Sequence, residues 1–278
     1  MIARSEISQQ VAWALQEDIG TGDITAKLVS ADSISEAKVI SRQPAILCGQ
    51  AWFDEVFYQL DKNIKIDWLS NDGEQIDANQ TLCHLYGKSR GLLTGERTAL
   101  NFLQTLSATA THTAQYAKKL EAYSTLLLDT RKTLPGLRIA QKYAVLTGGG
   151  HNHRIGLYDG ILIKENHIDA AGSITDVLHI AEDIRPKNCF VEIEVQNIDE
   201  LRQALTAGAS RILLDNFSMQ ELKTAVQINQ GQAKLEASGN VSLENIAQFA
   251  QTGVDFISVG DLTKNIRAVD LSMLFNHH

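Results

Sequence analysis

Four short apolar runs decide the fold: FVEIEV at residues 190–195, RILLDN at 211–216, KLEASGN at 234–240 and FISVGD at 256–261. The segments between them, at 198–207, 219–228 and 243–251, carry apolar residues at helical spacing. Strands that alternate with helices predict a parallel sheet.

The same alternation extends toward the N-terminus, with LLLD at 126–129, GILIKE at 160–165 and a helical pattern at 175–184. Nearly every predicted strand ends in charged or small polar residues: Asp129 with Arg131 and Lys132, Lys164, Glu194, Asp215, Glu236 with Ser238, and Gly260. In a TIM-type barrel the carboxyl ends of the strands converge on the active site. At a single strand these would be ordinary turn residues, but their recurrence favours a site. We predict a TIM-like α/β barrel, complete or incomplete, although an open doubly wound sheet would place its ligand at the same ends.

The first hundred residues have a different pattern. Runs at 35–46, 63–68 and 80–86 predict antiparallel strands, and residues 7–17 and 51–59 have helical patterns. A long helix is expected from Thr94, as its N-cap, to about Glu121, with Glu96 and Arg97 in its first turn. We therefore predict an N-terminal α+β sandwich domain at 1–107 and a barrel domain with the active site at 108–266. The C-terminal tail, 267–278, is expected to pack on the first domain.

Composition restricts the function. The 278 residues carry a net charge of −8, which argues against a nucleic-acid-binding surface. The segment 131–164 is the exception: six Lys or Arg against Asp159 give it +5, which leaves −13 for the remainder. A cationic segment in an anionic protein suits a pocket for a small anion, although a solvated basic face would give the same count. We expect neither a membrane span nor a secretory signal, and three dispersed cysteines suggest neither disulfides nor zinc, so we expect a cytoplasmic protein.

Six motifs resemble the quinolinate phosphoribosyltransferase family, in that family's order along the chain: EDIGTGDIT at 17–25, GERTALN at 95–101, DTRKTLPGLR at 129–138, GGGHNHRIGLYDGILIKENH at 148–167, EASGN at 236–240 and VDFISVGDLTK at 254–264. The resemblance implies an enzyme that joins quinolinate to phosphoribosyl pyrophosphate. The products would be nicotinate mononucleotide, pyrophosphate and CO2, in NAD biosynthesis. Two alternatives remain: a related phosphoribosyltransferase for nicotinate or another small acid, and a non-catalytic protein that binds a phosphorylated metabolite.

Quinolinate has two adjacent carboxylates, and arginine can hold a carboxylate with two hydrogen bonds. The resemblance assigns Arg131, His153, Arg154 and Lys164 to this ligand. It also assigns Arg97 to the site of a neighbouring subunit, which implies a homodimer or a higher homo-oligomer with shared sites.

The other substrate brings a pyrophosphate and a 5-phosphate. The likeness implies that Lys132 neutralises the pyrophosphate and that Glu194 and Asp215 hold Mg²⁺, which needs few protein carboxylates. With Lys164, these three are the expected catalytic residues. The remaining substrate-binding residues are expected to be Thr130, Ser238, Gly239, Asn240, Val259, Gly260, Asp261 and Lys264. Asp261 and Lys264 depart from the family pattern, and a carboxylate at 261 would repel a phosphate unless it turns away.

Overall fold

The structure is a computed structural model that describes residues 2–276. Its helices are α1 Arg4–Ile19, α2 Gln50–Leu60, α3 Ser89–Leu120, α4 Arg138–Thr147, α5 Glu165–Ala171, α6 Ile174–Ile184, α7 Ile198–Thr206, α8 Met219–Asn229, α9 Ile246–Ala250 and α10 Asp261–Lys264. Its strands are β1 Ile34–Ser41, β2 Ala45–Ile46, β3 Lys65–Trp68, β4 Gln75–Ile76, β5 Thr81–Lys88, β6 Leu126–Leu128, β7 Gly160–Ile163, β8 Phe190–Val195, β9 Arg211–Asp215, β10 Lys234–Ser238, β11 Phe256–Ser258 and β12 Leu271–Phe275.

The chain forms two compact units whose limits differ from the predicted 1–107 and 108–266. The first unit runs to Ala114 and also contains Leu134–Gly149 and the chain from Asn265 onward. The second unit consists of Gln115–Thr133 and Gly150–Lys264. Strand β12, which lies within the predicted tail 267–278, pairs antiparallel with β1 of the first unit. Residues 277 and 278 of that tail lie outside the described residues.

The first unit contains an antiparallel sheet in the order β12-β1-β5-β3. From Cys83 onward strand β5 alternates: Cys83 and Leu85 are buried, and His84 and Tyr86 are exposed, as expected of a sheet with one solvated face. Aromatic residues of α2, including Trp52 and Phe53, are buried in the same core. This arrangement of a sheet with helices confirms the predicted N-terminal α+β domain. The predicted strand at 35–46 is interrupted, since β1 and β2 are separate elements.

Helix α4 belongs to the first unit because of a hydrogen-bond network around Asp72. One carboxylate oxygen of Asp72 accepts from the backbone N–H groups of Gly49 and Gln50, at 3.0 and 3.3 Å, at the start of α2. The other accepts from the Tyr143 hydroxyl of α4 at 2.9 Å. The Tyr143 ring also packs on Trp52, with centroids 5.5 Å apart. Burial raises the pKa of Asp72, and these hydrogen bonds act against that rise.

The long helix α3 begins at Ser89, so the predicted start at Thr94 was wrong. The Thr94 hydroxyl does not cap the helix and instead donates to Asp23 at 2.8 Å. The first two turns of α3 are helical although they contain glycine, because close packing needs small residues there. A Cβ on Gly95 would lie 2.7 Å from the Phe57 ring, and one on Gly91 3.0 Å from Ile64. Tertiary packing here outweighs the low helix propensity of glycine.

The second unit contains a parallel sheet in the order β6-β11-β10-β9-β8-β7, and all six predicted strands of the barrel are present. Helices α6, α7 and α8 connect its strands, and the side chains of Ser173, Asn197 and Ser218 cap their N-termini. Beyond the edge strand β6, His151 forms a parallel bridge with Leu128. Within residues 2–276 no strand pairing joins this edge to β7, so the predicted TIM-like barrel is incomplete.

Register brings polar residues of neighbouring strands to the same edge of the sheet. Glu194 of β8 pairs with Leu213 of β9, and Asp215 pairs with Ser238 of β10. Paired residues on parallel strands point to the same face, so these side chains gather at the carboxyl edge of the sheet. None of the described helices is both long and apolar enough to cross a membrane.

The Asp72 network gives a test of the first unit. Tyr143→Phe should lower the free energy of unfolding by about 1.5 to 3 kcal/mol, because it removes a hydrogen bond to a half-buried carboxylate and keeps the ring on Trp52. Tyr86→Phe, on a ring that is 49% exposed, is the control and should change stability little. Denaturant unfolding of the three proteins would measure this, and equal midpoints would contradict the assigned role of Asp72.

Candidate active site

A pocket opens at the carboxyl ends of β6 to β11 in the second unit, with a cavity of about 370 Å³ that suits small molecules. Nine of the predicted site residues line it: Thr130, Arg131, Lys132, His153, Arg154, Lys164, Glu194, Asp215 and Ser238. Residues from six strand ends, from the loop after β6 and from the loop before β7 therefore meet in one place.

The cations of the pocket lie close enough to affect one another. Burial lowers the pKa of Arg154, and the positive charge of Arg131 lowers it further. Lys164 forms an ion pair with Glu194 at 2.5 Å, and the Lys164 side chain stays 44% exposed. Like charges that are held together in a half-buried pocket favour binding of an anion.

A buried carboxylate shapes the loop that carries His153 and Arg154. Asp129, at the end of β6, accepts from the backbone N–H of His153 at 2.9 Å and from the amide of Asn152 at 2.6 Å. Arg154 in turn donates to the backbone oxygen of Gly160 at 3.0 Å. The loop is thus tied to both edges of the sheet, which directs His153 and Arg154 into the pocket.

Glu194 and Asp215 line the same pocket from neighbouring strands. Glu194 is paired with Lys164, and Asp215 accepts from the Asn216 amide at 2.8 Å. Two carboxylates fit a Mg²⁺ ion that takes its other ligands from substrate oxygens and water. Among the described residues, no third carboxylate or histidine lies close enough to form a three-ligand metal site with Glu194 and Asp215.

The turn after β10 holds Ser238, Gly239 and Asn240. Gly239 has φ of +100°, and a Cβ there would lie 2.2 Å from the side-chain oxygen of Asn216. Asn240 also has positive φ, at 52°, which asparagine tolerates better than most residues. This backbone path needs glycine at 239, because a side chain would collide with Asn216. Gly239 and Asn240 follow Ser238 but do not line the pocket.

The predicted residues after β11 lie beside the pocket lining. A Cβ on Gly260 would lie 2.9 Å from the Lys132 side chain, so glycine makes room for that lysine. Val259 is buried, and Lys264 is exposed on α10. The Asp261 carboxylate accepts from the Tyr116 hydroxyl at 3.4 Å. That contact directs at least one of its oxygens toward α3.

Arg97 is not among the pocket residues of the second unit. It is exposed on the part of α3 that belongs to the first unit. Its predicted role in the site of a neighbouring subunit stays a prediction.

The sequence analysis missed a buried cluster next to the pocket. His153 lies 2.7 Å from Glu192 and 3.6 Å from Glu236, and Arg211 donates to both carboxylates. One signal was available: FVEIEV alternates, so Glu192 must face the same side as Glu194. The position of Arg211 at the start of its strand gave no comparable signal.

Two carboxylates in one buried cluster perturb each other. Burial and the negative charge of Glu192 raise the pKa of Glu236 to about 7. Burial also raises the pKa of Glu192, and Arg211 opposes that rise. Oε1 of Glu236 is buried without a hydrogen-bond partner, which a protonated carboxyl tolerates better than a charged one.

A barrel-like parallel sheet with cations and carboxylates at its carboxyl edge defines a class of α/β proteins that bind small anionic ligands at their strand ends. Two family models match most of the chain: the N-terminal domain of quinolinate phosphoribosyl transferase over residues 23–107 and the C-terminal domain over residues 109–274. The chain belongs to the quinolinate phosphoribosyl transferase family, which confirms the resemblance found in the motifs.

Similar proteins cover nearly the whole chain. A probable nicotinate-nucleotide pyrophosphorylase (carboxylating) of Bacillus subtilis is 39% identical over 92% of this chain and 89% of its own. A protein with the same description from Synechocystis is 38% identical over 93% of this chain and 89% of its own. The solved structure of the nicotinate-nucleotide pyrophosphorylase from Francisella tularensis has a TM-score of 0.95 and 50% identity, and the match covers 99% of this chain and 98% of that one.

The raised pKa of Glu236 gives a prediction for stability. A carboxyl whose pKa is higher when folded holds its proton more firmly in the native state, so rising pH destabilises the fold through it. The stability of the wild type relative to Glu236→Gln should therefore fall as pH rises from 4.5 to about 7.

Denaturant unfolding across that range would measure the difference. Glu221→Gln is the control: hydrogen bonds from Ser218 lower the pKa of Glu221, so the effect of this residue changes below pH 4.5 and stays constant across the measured range. If the stability of the wild type relative to Glu236→Gln stays constant or rises with pH, the raised pKa of Glu236 is contradicted.

Proposed function

We propose that this protein transfers the phosphoribosyl group of phosphoribosyl pyrophosphate to quinolinate and releases pyrophosphate and CO2, to give nicotinate mononucleotide for NAD biosynthesis. One observation carries the proposal: Arg131, Lys132, Arg154 and Lys164 line a single pocket together with Glu194 and Asp215. A reaction between two polyanions needs this concentration of fixed cations.

Quinolinate would bind through Arg131, Arg154 and Lys164. The repulsion between the two arginines, visible in the lowered pKa of Arg154, is relieved when a dianion lies between them. Their planar guanidinium groups can each hold one carboxylate with two hydrogen bonds. Lys164 would then divide its charge between the ligand and Glu194.

Phosphoribosyl pyrophosphate would lie toward the strand ends that bear Lys132, Glu194 and Asp215. Glu194 and Asp215 would hold Mg²⁺, which when bound offsets the charge of the pyrophosphate. Lys132 would neutralise the negative charge that develops as the pyrophosphate leaves and the ribose carbon gains oxocarbenium character. Thr130, Lys264 and the turns at Ser238–Asn240 and Val259–Asp261 would receive the phosphate groups, with the Asp261 carboxylate directed away by Tyr116.

The pyridine nitrogen attacks the ribose carbon without a strong general base, because its lone pair is free to react. Once ribosylated, the nitrogen is cationic and stabilises the carbanion that forms as the adjacent carboxylate leaves as CO2. A proton from solvent water then takes the place of the carboxylate on that ring carbon. The pocket would act mainly by positioning the two substrates and by charge. The cations and carboxylates that line the pocket agree with catalysis by positioning and charge.

The proposed assembly is a homodimer or a higher homo-oligomer in which Arg97 of one copy reaches the quinolinate of another. The exposure of Arg97 on α3 supports this, because the side chain is open to a second chain. The proposed location is the cytoplasm, which the three free cysteines support.

The direct test incubates the protein with phosphoribosyl pyrophosphate, Mg²⁺ and quinolinate labelled in the carboxylate next to the ring nitrogen. We expect labelled CO2 and nicotinate mononucleotide, with loss of both when a chelator removes the metal.

Arg131→Ala and Lys164→Ala should each weaken quinolinate binding by roughly 2 to 5 kcal/mol, as for loss of one partner of a buried charge pair. Turnover of nicotinate in place of quinolinate would favour the related transferase, and ligand binding without pyrophosphate release would favour a binding protein.

Shared sites give a further prediction. Arg97→Ala and Lys132→Ala should each be inactive alone, and mixed oligomers should recover activity because some sites then contain both wild-type residues. Native mass spectrometry would verify that the mixed species forms. If verified mixed oligomers stay inactive, Arg97 does not serve a neighbouring site.

A further inference from the structure

Arg211 is a partly buried cation at the start of β9 that does not line the pocket. Its guanidinium donates to Glu192 at 2.7 Å and to Glu236 at 2.6 Å. It also lies between two aromatic rings, 4.6 Å from the centroid of Phe190 and 4.5 Å from that of Phe256. Charge, hydrogen bonds and stacking together give this planar group one orientation.

The cluster continues from Arg211 to His153 in the pocket lining. Nε2 of His153 lies 2.7 Å from the second oxygen of Glu192. Its Nδ1 accepts from the backbone N–H of Arg154 at 2.7 Å. An Nδ1 that accepts a hydrogen bond carries no proton, so the ring proton is on Nε2 and is donated to Glu192.

The orientation of Glu192 therefore determines the orientation of His153. One oxygen of Glu192 accepts from Arg211 and the other faces the histidine. Without Arg211, Glu192 and Glu236 would be two buried carboxylates in contact, and their repulsion would displace them or make one of them take up a proton from solvent. The edge-to-face contact of His153 with Phe190, at 5.3 Å, holds the ring only from one side.

His153, Glu192 and Glu236 have ligand atoms within 4.8 Å of one another, a spacing that could also hold a metal ion. Arg211 already contributes a positive charge and hydrogen bonds to both carboxylates. The proton on Nε2 lies between His153 and Glu192, where a metal ion would have to bind. The contacts therefore favour a hydrogen-bonded cluster over a metal centre.

We propose that Arg211 is a positioning residue for the pyridine substrate. By donating hydrogen bonds to both Glu192 and Glu236, Arg211 fixes the ring of His153 at the pocket in the form that carries its proton on Nε2. The inference rests on the proposed function for the identity of the ligand. In this arrangement both ring nitrogens have partners within the protein. His153 thus contributes a fixed, uncharged surface beside the bound ring, and Arg131, Arg154 and Lys164 supply the cationic contacts.

The test compares Arg211→Met, which removes the charge and both hydrogen bonds, with Arg211→Lys, which keeps the charge but cannot span both carboxylates. Arg185→Met is the matched control, because Arg185 pairs with Glu182 on the surface. Nitrogen NMR of ¹⁵N-histidine-labelled protein distinguishes the two tautomers, and His153→Gln identifies the signals of His153. This measurement needs no substrate, so its result stands apart from any failure of the proposed reaction.

We expect the wild type and Arg185→Met to show His153 with its proton on Nε2. In Arg211→Met that pattern should be lost, and the KM for quinolinate should rise on the order of tenfold to a hundredfold, as for a misplaced contact in a tight site. The KM for phosphoribosyl pyrophosphate should stay unchanged. Arg211→Lys should change in the same direction by less.

A wild-type His153 with its proton on Nδ1, or on both nitrogens, overturns the proposal whatever the variants do. A folded Arg211→Met with the wild-type histidine pattern and quinolinate KM also overturns it. If that variant does not fold, as shown by circular dichroism, Arg211→Lys decides. Wild-type behaviour of Arg211→Lys in both measurements would then show that simultaneous hydrogen bonds to Glu192 and Glu236 are not needed.

Discussion

The parallel register of β8, β9 and β10 is the constraint on which the site depends. Because paired residues on parallel strands face the same way, Glu194, Leu213 and Glu236 form one row, and Asp215 and Ser238 form the row above it. A slip of one residue in any of these strands would turn its acidic residues toward the helices. The buried aliphatic residues on the opposite face, such as Ile193 and Ile212, make such a slip costly and so hold the carboxylates in place.

Charge in this protein is divided between two groups of side chains. In the buried group, Arg211 pairs with both Glu192 and Glu236. The second group is less compensated: Lys164 pairs with Glu194, whereas Arg131 lowers the pKa of Arg154 by repulsion. An incoming anion therefore acts mainly on the second group, because the contacts of Arg211 already hold the first.

Much of the second unit could be predicted because its signals are local. Six strands followed from short apolar runs, and most of the pocket residues lie at or just after the ends of those runs. The start of α3 was missed because the contact that favours glycine at 91, with Ile64, is distant in the sequence. The Arg211 cluster was missed for the same reason, since only register brings residues 192, 211 and 236 together. The placement of α4 depends on Asp72 and Trp52, which no local pattern connects to Tyr143.

The path of the chain between the units has a consequence for any attempt to divide the protein. The chain changes unit after Ala114, Thr133, Gly149 and Lys264, so a single cut cannot yield two continuous fragments that each contain one unit. The loop with Arg131 and Lys132 ends where α4 starts toward the first unit, and the loop with His153 and Arg154 begins where the chain returns. A fragment made of the C-terminal half alone would leave α4 without Trp52 and Asp72, and both of those loops would lose an anchored end. Evolutionary exchange or engineering of this scaffold should therefore transfer the two units together.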